Sequence, residues 1–427
     1  MTAKKNEKTD PFSAMMAGLN AVAKKKKKSA SFGRLADEAA KGRWIDFCDP
    51  KTGMPCLALE WLWGARGFQT GRILKIEAEE GVGKSSFLML MYGAAQKTCS
   101  AWCAHFEGEL AKAPPDFMAS YGCDPRRILS PELVDDDLSI EGCFSAIDST
   151  TFTMRSNQDG MDPDNKYPII VGVDSVSSFG ASKNMGEKDT DNASGIGVHS
   201  RFLSGWFRDR WGHLSDRDVF LMVIAQLRSK IDTAPVFGQR QKTNETTTLA
   251  ARPLNFHASM RLEVSTSKLA LKEPPYSQYG DIVTFKTTKN KLSPKGKVLK
   301  VPLIWDQGFD MTSATIELLK NLSPITLAGG QQFTIDTRGA GNLGGVKLHI
   351  PMLSDEGLHY FPNYLPGDLD KRRTNDEVLY RLYANTELLM ALREALRIRG
   401  FGFSFETDYM PSEAELEDIA PSEEAVA

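Results

Sequence analysis

Residues Gly81, Gly83, Lys84 and Ser85 carry the types and order that phosphate chemistry needs. They follow a short apolar β-type run (Ile73, Leu74, Ile76) and precede an apolar helical stretch (Phe87, Leu88, Leu90, Met91). Glycines let backbone N–H groups turn inward around phosphate oxygens, and the start of the next helix adds a favourable dipole. Lys84 can then reach the terminal phosphates, and the Ser85 hydroxyl can ligate Mg²⁺. The nucleotide-binding candidate is therefore the span Ala78, Glu79, Glu80, Gly81, Val82, Gly83, Lys84, Ser85 and Ser86, with Ala78 standing where the pattern prefers glycine. A chance glycine turn ahead of a helix is the competing reading.

Three further apolar runs end in polar residues that suit the same chemistry. Ile169 to Val173 leads into Asp174, the kind of acid that holds Mg²⁺ and its waters beside a phosphate loop. Cys103 to Phe106 leads into Glu107, a carboxylate that either accepts a proton from an attacking water or simply ends a strand at the surface. Val219 to Ala225 leads into Gln226, whose amide is costly to bury without a polar target such as a γ-phosphate. Segments 180–197 and 232–253, rich in Gly, Asn and Thr, are longer than ordinary connections, so each is either functional or disordered. The second holds Arg240, Lys242 and Arg252 with Thr246, Thr247 and Thr248, donors suited to a phosphate backbone. Lys286, Lys289 and Lys291 crowd together after a strand-like run, Ile282 to Phe285. They repel one another unless an anion sits among them, or else they decorate a solvated hairpin.

The elements that must position these groups alternate. Apolar β-type runs at 73–76, 101–106, 168–174, 219–225 and 259–264 are separated by amphipathic stretches such as 84–95 and 198–211. This alternation predicts an α/β fold, a mostly parallel sheet with helices on both faces, with ligand groups collected beyond the carboxyl ends of the strands. After residue 310 a glycine-rich β-like region (328–350) precedes a helical segment from Asn375 to Arg399 with an apolar face that includes Val378, Leu382, Leu389 and Leu396. The expected organisation is a basic N-terminal arm (1–45), a core (46–309), a small C-terminal domain (310–405) and a disordered acidic tail (406–427).

The 427 residues are 41% hydrophobic and 25% charged, an ordinary globular composition with enough apolar content for a sizeable core. A net charge of −3 conceals polarised ends: Lys24 to Lys28 on one side, and Glu413, Glu415, Glu417 and Asp418 on the other. The lysine run is either a nucleic-acid or nuclear-import patch or a solvated segment. Phe12, Met15, Met16, Leu19 and Val22 fall at helical spacing, which predicts an amphipathic helix in need of a partner surface. The six cysteines form no CxxC pair, which fits a reduced, cytoplasmic setting, and no apolar run of membrane-spanning length occurs.

Taken in order, these motifs resemble the bacterial RecA recombinase family and its phage relatives, over roughly residues 30–310. Leu57 to Trp63 and then Gly71 to Ile76 look like that family's lead into its phosphate loop. Glu107 matches the catalytic glutamate, with His105 where an acid is usual, and Asp174, Ser175 and Val176 match the Walker B strand end. Gln226, Arg228 and Lys230 resemble the switch glutamine and the start of the second DNA-binding loop. Phe237 and Gly238, Glu245 to Thr248, and Phe256 to Leu262 continue that segment. Lys289, Asn290 and Lys291, followed by Pro294, match the lysine pair that reaches ATP bound by the adjacent subunit. Segment 180–197 shares only length and glycine content, and the second loop carries Leu249 to Arg252 where glycines are usual.

The resemblance implies a RecA-like ATPase core with a basic N-terminal helical arm and a small α+β C-terminal domain, using ATP and Mg²⁺. It implies a DNA-dependent ATPase that forms a helical filament on single-stranded DNA and catalyses homologous pairing and strand exchange. Glu107, Gln226, Lys289 and Lys291 take the catalytic roles, Ser85 and Asp174 the metal, and Trp305 joins the nucleotide contacts. DNA contacts fall to Arg201, Arg228, Lys230, Val236, Phe237, Gly238, Arg240, Lys242, Thr246, Thr247, Thr248, Arg252 and Arg261. The implied partners are single- and double-stranded DNA, further copies of the chain with ATP at the protomer interface, and a single-strand-binding protein or loader. The setting is the cytoplasm of a bacterium or a phage-infected host, with no membrane. Two alternatives are a ring-forming helicase-type motor of the same superfamily and a non-catalytic recombination mediator.

Overall fold

Buried strands flanked by chemistry-bearing loops require a sheet that is apolar on both faces, and this is what forms. The computed structural model describes residues 42–108, 114–131, 139–180, 195–229, 246–247, 251–270, 278–305, 307–322, 325–326, 332–336, 346–349, 358–360, 389–390 and 392–396. The expected N-terminal helix, the segment 181–194, most of the second loop and the acidic tail lie outside these residues.

β1 (Trp44–Asp46) and β2 (Gly67–Gln69) pair antiparallel, with α1 (Leu57–Trp63) between them in sequence. α1 stops at Gly64, whose φ of 76° is the left-handed turn that a Cβ would strain. β3 (Ile73–Ala78) feeds the phosphate-loop candidate and α2 (Lys84–Cys99); β4 (Trp102–Glu107) follows, then the short α3 (Pro115–Ser120) and β5 (Ile128–Leu129). α4 (Ile140–Ser156) opens with Ser139 accepting a hydrogen bond from the Gly142 amide at 3.0 Å, an N-cap. β6 (Ile169–Asp174), α5 (Gly195–Asp216) and β7 (Val219–Gln226) complete the alternating part.

Beyond β7, the short β8 (Arg228–Ser229) pairs with β9 (Thr246–Thr247), and α6 (Ala251–His257) leads into β10 (Met260–Ala270). β11 (Gln278–Asn290), β12 (Val298–Ile304) and β13 (Gly308–Phe309) form an antiparallel meander on its edge. The sheet order is β13-β12-β11-β10-β3-β7-β6-β4-β5. The six strands from β10 to β5 run parallel, so the expected mostly parallel sheet is present.

Two apolar clusters cover the two faces of the sheet. One joins α1, α2 and the β11–β13 meander through Phe87, Phe285 and Phe309; the other joins α4, α5 and α6 through Phe144, Phe207 and Leu254. Strand β6 is buried at every position, as a central parallel strand should be.

The structure corrects three local expectations. Helix α5 begins at Gly195, and α6 begins at Ala251, inside the segment read as loop to residue 253. Lys286 and Lys289 are strand residues of β11, because Val283, Phe285 and Thr287 alternate inward and extend the strand past the crowded lysines. After β13, α7 (Met311–Leu322) buries Met311, Ala314 and Leu318 in the first cluster, and β14 (Ile325–Thr326), β15 (Gln332–Asp336), β16 (Val346–His349) and β17 (Leu358–Tyr360) form a separate four-stranded antiparallel sheet. Helical residues 392–396 carry Arg393, whose guanidinium makes two bonds to buried Glu60 of α1, at 2.6 and 3.0 Å.

Candidate active site

Four strand ends meet where the sheet order departs from chain order. β3 and β4 are consecutive parallel strands in the chain, yet β7 and β6 lie between them, so the loops after all four open onto one crevice. Register aligns their last residues in pairs: Ala78 with Gln226, and Glu107 with Asp174.

The loop leaving β3 has the shape its glycines predict. Gly81 and Gly83 adopt φ of 70° and 83°, whereas Ala78 is a buried strand residue without positive φ, so alanine is tolerated there. A Cβ on Gly81 would meet nothing within 4 Å, and Gly83 caps α2 without a side-chain bond to the helix amides. Uncapped N–H groups at a helix start fit a phosphate. Lys84 is buried and donates to the Glu79 carbonyl, and the Ser85 hydroxyl donates to Asp174 Oδ2. Glu79, Glu80 and Gly81 are exposed, while Ser86 turns inward and accepts a hydrogen bond from Tyr121 at 2.8 Å. A hydroxyl, a buried carboxylate and the uncapped amides at the start of α2 form a group set that fits a nucleotide phosphate with Mg²⁺.

Glu107 lies beside this set. His105 Nε2 stands 3.2 Å from Glu107 Oε2, and the ligand atoms of His105, Glu107 and Asp174 all lie within 4.8 Å of one another. The Gln226 backbone N–H donates to Ser177 Oγ at 3.1 Å, and the Leu227 backbone N–H donates to the Ala78 carbonyl at 2.9 Å. The entrance to the second loop is therefore stitched to both the phosphate-loop strand and the turn after Asp174.

A second cluster sits on the β10 side. Lys75 on β3 is buried and bonds Glu77 at 2.5 Å and Asn255 Oδ1 of α6 at 2.8 Å. Arg261 on β10 completes Glu77 at 3.2 Å. Lys289 Nζ donates to the carbonyls of Asn255 and Phe256, at 2.8 and 2.9 Å, near the end of α6. Burial first, then the charges of Lys291 and Arg261, hold Lys289 below the usual lysine range; burial and the two lysines do the same to His257. This is a cationic corner, next to Phe256, which is 76% exposed.

The remaining sequence candidates are distributed more widely. Arg201 is exposed on α5 and Arg252 is exposed on α6. Arg228, Thr246 and Thr247 sit on the paired strands β8 and β9. Trp305 is half exposed after β12, its Nε1 3.4 Å from Asp281 Oδ2. Lys230, Val236, Phe237, Gly238, Arg240, Lys242 and Thr248 lie outside the described residues. Sequence reasoning missed Lys75 and Glu77, although two charges at period two in an otherwise apolar strand signal a buried pair. It also missed Tyr92, which nothing in its apolar helix marks out.

A family model described as the RecA N-terminal domain matches residues 51–310. The chain is similar to Protein RecA of Streptococcus equi subsp. zooepidemicus, at 28% identity over 275 residues, which is 64% of this chain and 66% of that protein. It is similar to Protein RecA of Streptococcus uberis at 28% over 276 residues, 64% of this chain and 65% of that protein. The match thus spans just under two thirds of those relatives' own length.

Proposed function

The chain belongs to the RecA family, and from that premise we propose that it is an ATP-dependent recombinase that forms a helical filament on single-stranded DNA and exchanges homologous strands. The observation that carries this reading is the convergence of Lys84, Ser85, Glu107, Asp174 and Gln226 on four neighbouring strand ends, joined by register and hydrogen bonds. A phosphate loop alone would serve many enzymes; this set also leads directly from a γ-phosphate sensor into a DNA loop.

In this reading Lys84 and the amides of residues 79–83 hold the phosphates, and Ser85 with Asp174 holds Mg²⁺. The bound metal supplies charge neutralisation at the phosphate oxygens. Glu107 orients a water and takes its proton on a carboxylate oxygen. Gln226 senses the terminal phosphate, and its two positions order or release the segment that follows, residues 227–256. Lys289 and Lys291 approach the nucleotide of the adjacent protomer; the mutual repulsion in their cationic corner is support for an anion arriving from outside. Arg228, the Thr246–Thr248 run and the basic residues between them contact the DNA backbone, so binding is sequence-tolerant and falls steeply with salt. The N-terminal helix carrying the 12–22 apolar stripe docks on the next protomer, and the acidic tail competes with DNA for basic surface.

A ring-forming motor of the same superfamily shares the phosphate loop and strand-end acid, but not the run from Gln226 to Arg261. Electron microscopy of the protein with single-stranded DNA and a non-hydrolysable ATP analogue decides between them. Extended helical filaments are expected; closed rings or isolated monomers overturn the proposal.

A further inference from the structure

The second loop leaves the sheet and rejoins it on opposite sides of β3. It departs after β7 at Gln226 and returns through α6 to β10, the other neighbour of β3. The return is where the paired lysines are held. Lys289 Nζ donates to the carbonyls of Asn255 and Phe256, at 2.8 and 2.9 Å, and the Lys291 backbone N–H donates to the Ser259 carbonyl at 3.0 Å. An ammonium has three N–H groups and no acceptor. Two are fixed by α6 and, among the described residues, the third is left for an anion.

The end of α6 is itself pinned. The Asn255 side chain meets the buried Lys75 ammonium of β3 at 2.8 Å, and because lysine can only donate, Oδ1 is the atom engaged. The Ser259 N–H donates to the Ile73 carbonyl, also on β3, at 2.8 Å. Asn255 thus carries an anchor on its side chain and a lysine on its backbone. This corner stands away from its own phosphate loop. Leu254 of α6 belongs to one apolar cluster and Phe87 of α2 to the other, on opposite faces of the sheet. Lys75 also lies three residues before the strand end at Ala78, about 10 Å back along the strand. An anion that Lys289 meets is accordingly not the one held by its own Lys84.

We propose that Asn255 is a positioning residue for nucleotide turnover in the adjacent protomer: tied to Lys75 through its side chain, it aims the Lys289 ammonium through its backbone carbonyl. This role rests on the recombinase reading and gives DNA a second route to a nucleotide. DNA that orders residues 227–250 sets the start of α6, and α6 sets the lysine that completes the neighbour's site. Gln226, by contrast, acts on the phosphate of its own protomer. A misplacement of about 1 Å in a positioned group is enough to cost up to about 100-fold in rate.

The test compares steady-state ATP hydrolysis, with saturating single-stranded DNA, in the full-length chain and its variants. Asn255→Ala should lower kcat about tenfold and leave KM for ATP within about twofold. Asn255→Asp keeps an acceptor for Lys75 and should retain kcat within about threefold, a rescue that separates orientation from loss of fold. Asn255→Ala combined with Lys289→Met should turn over no more slowly than Lys289→Met alone, because both act on one ammonium. Wild-type kcat in Asn255→Ala, no rescue by Asn255→Asp, or losses that multiply in the double variant overturn the role of Asn255. A wild-type chain whose ATP hydrolysis does not respond to DNA overturns the recombinase reading instead, and the positioning role with it.

Discussion

Ala78 and Gln226 are register partners on adjacent parallel strands, and the amide of Leu227 closes the rung by donating to the Ala78 carbonyl at 2.9 Å. The entrance to the phosphate loop and the entrance to the second loop are thus one hydrogen bond apart. A side chain at 226 can report on phosphate without any long relay. Gln226→Ala keeps the backbone rung and removes only the amide head group. It should leave nucleotide affinity within about twofold and abolish the stimulation of ATP hydrolysis by single-stranded DNA, read by steady-state ATPase assays with and without DNA. Full DNA stimulation in the variant removes the switch role.

The Lys75–Glu77 pair predicts a different kind of effect. Both side chains lie on one face of β3, Lys75 is out of contact with water, and its second bond goes to Asn255 of α6. Breaking a buried ion pair leaves a carboxylate with part of its compensation gone, an effect of about 3 kcal/mol. Lys75→Met should therefore lower the unfolding free energy obtained from urea denaturation by that amount at neutral pH. Asn255→Ala should be milder, and the double variant non-additive by about 0.5–3 kcal/mol because the two share one ammonium group. Additive losses would mean that β3 and α6 are not coupled through Lys75.

Much of this site was legible from the chain because its chemistry is local. Gly83, Lys84 and Ser85 are contiguous, and Glu107, Asp174 and Gln226 each terminate an apolar run of strand length, so the parallel-sheet inference places them together. What escaped was set by packing between segments distant in sequence. The Arg261 guanidinium also bonds Glu77, 184 positions away, and no periodicity encodes that pairing. The sequence ends the strand-like run at Phe285, ahead of the crowded lysines; inward Val283, Phe285 and Thr287 carry the strand past Lys289. His105 drew notice only as a departure from an acid, and its geometry depends on Tyr92 and on the missing Cβ of Gly172.

Lys297 gives a pH-dependent prediction. Burial pushes its ammonium down to about 8 from an ordinary 10.5, while the face of Trp61, 4.9 Å from Nζ to the ring centroid, works in the opposite sense by favouring the charged form. A lysine lowered on folding binds fewer protons in the native than in the unfolded state between those two values. Stability contributed by this site must therefore rise with pH from about 8 toward 10.5 and be flat below 8. Lys297→Met should remove that rise, as measured by denaturant midpoints at pH 7.5, 9 and 10. A slope unchanged in the variant would assign it to another group.

The Arg393–Glu60 pair fixes a late helical segment to α1, and its loss should be conditional on pH. Both side chains are buried, and the guanidinium engages both carboxylate oxygens. Burial nevertheless dominates and raises the Glu60 carboxyl above its ordinary 4.5, with Arg393 acting against it. Arg393→Met removes that opposition, so the carboxyl rises further and its ionised form stands unpaired in the core. A group raised on folding destabilises the native state as pH climbs through its folded value, and the penalty disappears below its unfolded one. Arg393→Met should accordingly lose about 3–5 kcal/mol at pH 8 and progressively less as pH falls toward 4.5. Pairing it with Glu60→Gln should restore most of the stability at pH 8, since a neutral amide needs no counter-charge. Equal losses at high and low pH, or no rescue by the second substitution, would show that Arg393 stabilises by packing alone.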